Sequence, residues 1–347
     1  METTSNIDNS RGSRPISRRR ALGIAGCAAG LAAGGTALGA LLLPDAAPPS
    51  SGYRWRGVVL GAAATITVAH QERDTAQRVV KDCLAEIARL ERIFSLYRQD
   101  SALTALNAAG VLADPPAELL ALLSIARRVH IASAGAFDPT LQPLWRLYAE
   151  HFGRRPDDRS GPGQTAVAAA LKRIGFAKIT FDASRIVLRP GMALTLNGIA
   201  QGYIADRVAA VMRAGGIRDT LIDLGEIRAL GRHSKNRPWR AGIAAPGRRD
   251  KLLAAVDLAD IALATSADDG TNFDAAGRFG HILDPRTGTP ARHNRSVSVR
   301  APLAALADAL STALFVMPAA EGLALARTVR GASALVQRRD GRVLGWS

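Results

Sequence analysis

The reading turns on HILDPRTGTP, residues 281–290, and on ADALSTALFV, residues 307–316. The first string predicts a short apolar strand ending in Asp284 and Pro285, then a turn carrying Arg286, Thr287 and Gly288. The second predicts a helix with Leu306, Leu310, Ala313 and Leu314 on one apolar face. Asp308 and Thr312 are four apart on that helix, so their side chains lie about one turn from each other on one face. A carboxylate and a hydroxyl so placed are oxygen ligands suited to a hard cation such as Mg²⁺. Two ligands do not make a metal site, and the spacing equally fits a helix-start charge followed by a tolerated core hydroxyl.

Upstream of this stretch, 194–197 (LTLN) reads as a short strand running into a helix over 198–216 that opens with small residues. Strand, glycine turn and helix offer free N–H groups and a positive dipole end to a phosphate. The dinucleotide fingerprint is not met, because Gly198 and Gly202 are four apart with no third glycine in place. LIDLGE (221–226) reads as a buried strand ending in a glycine turn. Strands follow at 239–245 and 252–258, and 261–266 leads through Asp268 to the opening stretch. Further back, GAFDPT (135–140) is a shaped loop kept near the core by Pro143, Leu144 and Trp145. Residues 75–96 form a helix with Val79, Cys83, Ile87, Leu90 and Phe94 buried, and Ser101 caps the next one. A helix opened by Pro116 runs to about Ala134. Residues 154–164 read as an exposed loop, 167–174 as a helix, and 179–188 as a hairpin. Residues 55–70 read as a strand holding a turn of small residues at 60–64, where a ligand can approach the backbone. Downstream, 296–300 is a strand, 319–329 a helix, and two strands flank Asp340 and Gly341.

Composition sets the outer limits. The chain has 347 residues, 48% of them hydrophobic, enough for a substantial core, and a formal charge of +15. Residues 1–47 carry five Arg and three acids, a net of +2, leaving about +13 on the rest. Such a surface attracts anions. No zinc spacing, aromatic-interleaved basic patch or long Lys/Arg run accompanies it, so the sequence gives no support to a nucleic-acid partner. Arg18, Arg19 and Arg20 precede an uncharged, Gly- and Ala-rich run over 21–43, the pattern of a twin-arginine export signal. Residues 1–47 are therefore expected to be a signal segment and 48–54 a linker. The product is expected in the periplasm, tethered to the inner membrane if the signal is kept. With Cys27 in that leader, Cys83 stands alone and no intrachain disulfide is expected in the mature protein.

Taken together, FSLYRQDSALTALNAAG, GAFDPTLQPLW, LNGIAQGYIADRV, LIDLGEIRALG, ATS before HILDPRTGTP, and ADALSTALFVM resemble the ApbE family, the FAD:protein FMN transferases, in the family's order. The resemblance implies an α/β (mixed α+β) fold, two-lobed and T-fold-like, forming one catalytic unit over 55–347 with FAD between the lobes. It implies Mg²⁺ on Asp308 and Thr312 with a backbone carbonyl near Ala200. It implies flavin contacts from Ala136, Phe137, Asp138 and the loop at Tyr97, and a structural or ligand-positioning role for Asp206. Gln201 stands where the family commonly has Lys, so a phosphate contact there carries no charge. Leu224 precedes Gly225 where the family often has two glycines, and Ala267, Asp268 and Asp269 replace a glycine and an aromatic.

The implied reaction carries FMN from FAD to a Thr (or Ser) hydroxyl of a target protein and releases AMP. The implied target is a membrane-associated redox subunit or an FMN-binding domain. His281, which titrates near neutrality, is the candidate to take the hydroxyl proton. Asp284 either orients His281, supports the metal or caps the turn. An FAD pyrophosphatase yielding FMN and AMP, and a non-catalytic FAD-delivery protein, stay open beside the transferase.

Overall fold

The computed structural model describes residues 40–42, 52–233 and 237–346. Most of the expected signal segment lies outside those residues. The exception is β1 (Ala40–Leu42), which pairs antiparallel with the strand at residues 241–243. Next come β2 (Tyr53–Val59) and β3 (Ala62–Val68), joined by a tight turn at Leu60 and Gly61, both at positive φ. The single strand expected over 55–70 is thus a hairpin. Its register pairs Val59 with Ala62.

Helices α1 (Arg73–Phe94) and α2 (Ala102–Ala109) follow, the second capped by Ser101, whose hydroxyl accepts the Thr104 N–H. After β4 (Val111–Ala113), α3 (Ala117–Ala132) opens behind Pro116. A 3₁₀ turn over Pro139–Leu141 leads into α4 (Gln142–Arg154). That helix was not expected, since Pro143, Leu144 and Trp145 were read only as holding the 135–140 loop near the core. A proline in the first helical turn loses no hydrogen bond, and Leu144, Tyr148 and Phe152 then fall on one buried face. Helix α5 (Gln164–Leu171) and the short β5 (Thr180–Phe181) and β6 (Arg185–Val187) complete this part, with β4 pairing β6.

Residues 194–197 form no strand. Leu194 exchanges both backbone bonds with the Asn107 side chain, and the Thr195 N–H donates to the Pro139 carbonyl, so the segment is extended without a strand neighbour. Then come α6 (Ala200–Ala214), β7 (Thr220–Asp223), β8 (Ile227–Leu230), β9 (Trp239–Ala245), β10 (Arg248–Leu258) and β11 (Ala262–Ala267). The chain closes with β12 (Asn294–Ala301), α7 (Ala304–Val316), α8 (Ala319–Thr328), β13 (Ser333–Arg338) and β14 (Val343–Gly345). Residues 281–283 are not a strand either; Leu283 makes one isolated bridge to Pro290.

Eight strands form one antiparallel sheet in the order β14-β13-β12-β11-β8-β7-β3-β2. The largest apolar cluster joins this sheet to α1, α3, α6 and α7, with Ile66, Leu90, Leu123, Ile204, Val299 and Leu314 in it. A second cluster around Trp239 packs the β1-β9-β10 sheet against Leu221, Ile227 and Leu263. A third, aromatic cluster ties Leu144, Tyr148 and Phe152 of α4 to Phe279 and Leu283. This last cluster is the core of a smaller lobe, and it carries the 281–290 stretch. The mixed α+β, two-lobed expectation holds. Cys83 is a free, buried thiol within α1, pushed up to about 12 by burial, Asp82 and Glu86, which keeps it a thiol.

Candidate active site

A cleft of ≈ 220 Å³ runs between the sheet-and-helix body and the smaller lobe. Tyr97, Ala136, Phe137, Asp138, Ala200, Gln201, His281, Asp308 and Thr312 all line it. Residues separated by more than 200 positions are thus brought together. Asp206 and Asp284 do not line it.

The inner end of the cleft is built where α6 and α7 touch. A Cβ at Gly202 would lie 2.3 Å from the Ala304 carbonyl oxygen, so only glycine allows this approach. The Gly202 N–H then donates to Asp308 Oδ2 at 3.2 Å. One turn on, Thr312 Oγ1 lies 3.4 Å from Ser266 Oγ, and a Cβ at Gly198 would lie 2.9 Å from that hydroxyl. Glu226 reaches the same end from the turn between β7 and β8, where Gly225 holds φ +100°. Burial raises the Asp308 carboxyl well above the usual range, with the Gly202 N–H opposing. Burial, Asp308 and Asp223 raise Glu226 in the same direction. Asp223 is pushed up to about 6 by burial, against one N–H from Gly225. Glu226 Oε2 is buried with no hydrogen-bond partner.

Buried carboxylates without a counter-charge are costly unless something positive joins them. The set is a carboxylate from Asp308, a hydroxyl from Thr312 and the unmet oxygen of Glu226. These are hard oxygen donors, and they fit Mg²⁺ or a similar ion. Three His, Cys, Asp or Glu side chains do not converge on one point among the described residues, so any ion here rests on mixed donors.

His281 stands on the smaller-lobe side. Its Nδ1 lies 2.8 Å from the Thr271 carbonyl oxygen. A carbonyl only accepts, so Nδ1 carries the proton and Nε2 keeps its lone pair in the neutral ring. Burial lowers the His281 pKa, with the Thr271 bond opposing, so the neutral ring prevails at pH 7. Asp284 does not orient it. Both Asp284 oxygens bind the Arg286 guanidinium at 2.9 Å, and Oδ1 also accepts the Arg286 N–H. Of the three roles open to Asp284, the geometry selects capping the 284–289 turn, and a catalytic role is corrected to a positioning one.

Of the structural and ligand-positioning roles open to Asp206, its contacts are structural. Its two oxygens accept the Ala304 and Ala305 N–H groups, both at 2.9 Å, and Arg228 lies 3.3 Å away. It caps α7, whose own preceding residue Leu303 cannot.

The outer end of the cleft is aromatic and amide-lined. Ser95 accepts the N–H groups of Tyr97 and Arg98, which shapes the loop after α1. Burial raises the Tyr97 hydroxyl pKa, partly offset by a bond with Asn197. Asp138 spends its oxygens on Thr140 and the Phe176 N–H, so it fixes the loop that presents Ala136 and Phe137. Glu226, Asn197, Thr271 and Ser266 were absent from the sequence-based site. Glu226 carried a signal, an acid just past the buried strand and glycine turn read over 221–226. Thr271 and Asn197 carried none, since their part is played by a carbonyl and by a contact across the cleft.

A profile of the ApbE family matches residues 60–336. The chain is 33% identical over 317 residues to an FAD:protein FMN transferase of Treponema pallidum, covering 84% of this chain and 86% of the other. It is 31% identical over 291 residues to that of Haemophilus influenzae, with 80% of each covered. Among solved structures, the ApbE protein of Thermotoga maritima superposes with a TM-score of 0.76 at 29% identity, covering 84% of this chain and 96% of that one. A flavinyl transferase of Pseudomonas stutzeri gives 0.73 at 30%, with 85% and 94% covered.

Proposed function

The chain belongs to the ApbE family, and from that premise we propose that it is an FAD:protein FMN transferase that works with Mg²⁺ on a protein Thr (or Ser) hydroxyl and releases AMP. The observation that carries this reading is the pairing, in one cleft, of a neutral imidazole with an unmet carboxylate centre. Phosphoryl transfer asks for an oriented nucleophile and neutralised phosphate oxygens more than for covalent help.

Asp308 and Thr312, with Glu226 beside them, would hold the ion, which when bound supplies electrophilic charge to phosphate oxygens. His281 Nε2 takes the proton of the acceptor hydroxyl. The hydroxyl oxygen bonds to the FMN phosphorus, and the bond from that phosphorus to the bridging oxygen breaks. The bridging oxygen leaves with AMP. Tyr97, Phe137 and Trp145 form an apolar, aromatic wall for the flavin end, and Asn197 and Gln201 offer uncharged polar contacts. Thr271 holds the imidazole in the tautomer that keeps Nε2 free.

The leader motif supports work in the periplasm on a membrane-associated redox subunit or FMN-binding domain. The test incubates the exported form with FAD, Mg²⁺ and a purified FMN-binding-domain acceptor. In-gel flavin fluorescence on the acceptor, lost with EDTA and lost when the acceptor Thr is replaced, is the expected result. Free FMN and AMP without labelled protein would assign a pyrophosphatase instead.

A further inference from the structure

Beside His281 the molecule opens a second hollow of ≈ 420 Å³, which shares Ala267, His281 and Ile282 with the cleft. Four guanidiniums line it, from Arg159, Arg278, Arg292 and Arg339. Asp274 neutralises Arg278 at 3.0 Å, and Asp268 is shared between Arg339 at 3.4 Å and Arg295 at 3.6 Å. Arg159 and Arg292 are exposed and have no carboxylate partner among the described residues. On the same wall, Asp268 Oδ1 and Asn272 Oδ1 are buried without a hydrogen-bond partner. The hollow therefore presents two free cations and two oxygens that lack donors.

That mixture selects its occupant. A nucleic-acid backbone or fully ionised phosphate would satisfy the guanidiniums but bring no donor to the Asp268 and Asn272 oxygens. An extended peptide satisfies both, since its N–H groups donate to buried oxygens and its acidic side chains pair with Arg. Resting on the transferase reading above, we propose that this hollow seats the acceptor protein. The occupant is an extended segment whose hydroxyl residue is flanked by acidic ones. Its carboxylates meet Arg159 and Arg292, its backbone N–H groups meet Asp268 and Asn272, and its hydroxyl reaches His281 while FAD fills the cleft. Acceptor choice then lies in the charge around the hydroxyl.

The test uses the full chain and fluorescein-labelled peptides of about twelve residues, a length that spans an extended groove. Each has a central Thr flanked on both sides by two Asp, two Asn or two Lys. Fluorescence polarisation at low salt reads binding, and mass analysis after adding FAD and Mg²⁺ reads attached FMN. The Asp peptide is expected to bind at least tenfold tighter than the Asn peptide. In R159E/R292E that preference should vanish or pass to the Lys peptide, with FAD affinity unchanged. Equal binding of the three peptides, or an Asp preference that survives R159E/R292E, overturns the proposal. Charge-selective binding with FMN attached to neither peptide nor purified acceptor would leave the peptide site standing and sink the transferase reading.

Discussion

Two aspartates, one half-buried and one buried, meet α7 about one helical turn apart, and the chain treats them in opposite ways. Asp206, reaching in from α6, accepts two N–H groups at the start of α7 and lies beside Arg228. Asp308, on α7 itself, receives one N–H and faces Glu226, whose Oε2 has no partner. Burial raises both carboxyls, but only the Asp206 side has a cation beside it. A satisfied carboxylate is part of the scaffold, whereas an unsatisfied one is a request for a ligand. Asp284 falls on the satisfied side through Arg286, which is why it reads as architecture despite its place in the most telling stretch of the chain.

The sharpest way to break the contrast is Asp308→Asn. Transfer should fall by roughly a thousandfold, on the scale set by removing a principal charge-stabilising group, while the ion-free protein becomes more stable. The sign follows from the raised pKa values. Asp308 and Glu226 bind protons more tightly folded than unfolded, so their contribution to the stability of the ion-free wild type is greatest below the ordinary carboxylate range near pH 4. That contribution is lost as pH rises toward their folded values. Thermal melts without metal should fall in Tm from pH 5 to pH 8, and Mg²⁺ should raise Tm more at pH 8 than at pH 5. In Asp308→Asn both trends should flatten. A wild-type melt indifferent to Mg²⁺ at pH 8 would sink the metal assignment.

His281→Gln comes next. It keeps a polar group facing Thr271 but removes the base, and general-base loss costs roughly a hundred- to ten-thousandfold in kcat. FAD affinity should stay within about twofold, since the change acts on the proton and not on the binding walls. For the wild type, kcat should climb with pH through a value below the ordinary histidine pKa of about 6.5 and be level at neutrality. A profile still climbing between pH 7 and 8 would show that His281 is not the base.

Asp206→Asn tests the satisfied side. It removes the charge from the α7 cap and leaves Arg228 buried without its partner, a loss of about 3 kcal/mol read as a lower urea midpoint. Because α7 carries Asp308 and Thr312, Mg²⁺ affinity should weaken about tenfold, while the pH dependence of kcat keeps its midpoint. A shifted midpoint would place Asp206 in the chemistry.

What could be read from the chain alone follows the same division. Periodicity found α1, α3, α6, α7 and most sheet strands, because an amphipathic face is written locally. The i, i+4 pair Asp308 and Thr312 was legible for the same reason. Helix α4 went unread after the 135–140 loop, and residues 194–197 looked like a strand because nothing local reveals that Asn107 and Pro139 take the backbone bonds of Leu194 and Thr195. The roles of Asp206 and Asp284 stayed open because an acid in a motif does not announce that its partners are Ala304, Ala305 and Arg286. Glu226 was passed over because its worth depends on Asp308 standing opposite, a fact of the fold.

The smallest expected effect sharpens the contrast most finely. Gln201, in the first turn of α6, lines the cleft, and its Nε2 would lie 2.8 Å from a Cβ at Gly225. It therefore packs over the turn that carries Glu226. Gln201→Lys would bring an ammonium to the one side of the comparison that lacks a cation. If the unmet charge of Asp308 and Glu226 is what shapes this end of the cleft, the ion-free variant should be more stable than wild type. The Mg²⁺-induced rise in Tm at pH 8 should shrink accordingly, because the lysine already meets part of the demand. FAD should bind about threefold tighter at low salt and lose that gain as salt screens it, the size expected of one partly exposed charge. If stability and Mg²⁺ response are untouched while FAD binding tightens, position 201 speaks only to the substrate phosphates, and the carboxylate centre is closed to everything but the ion.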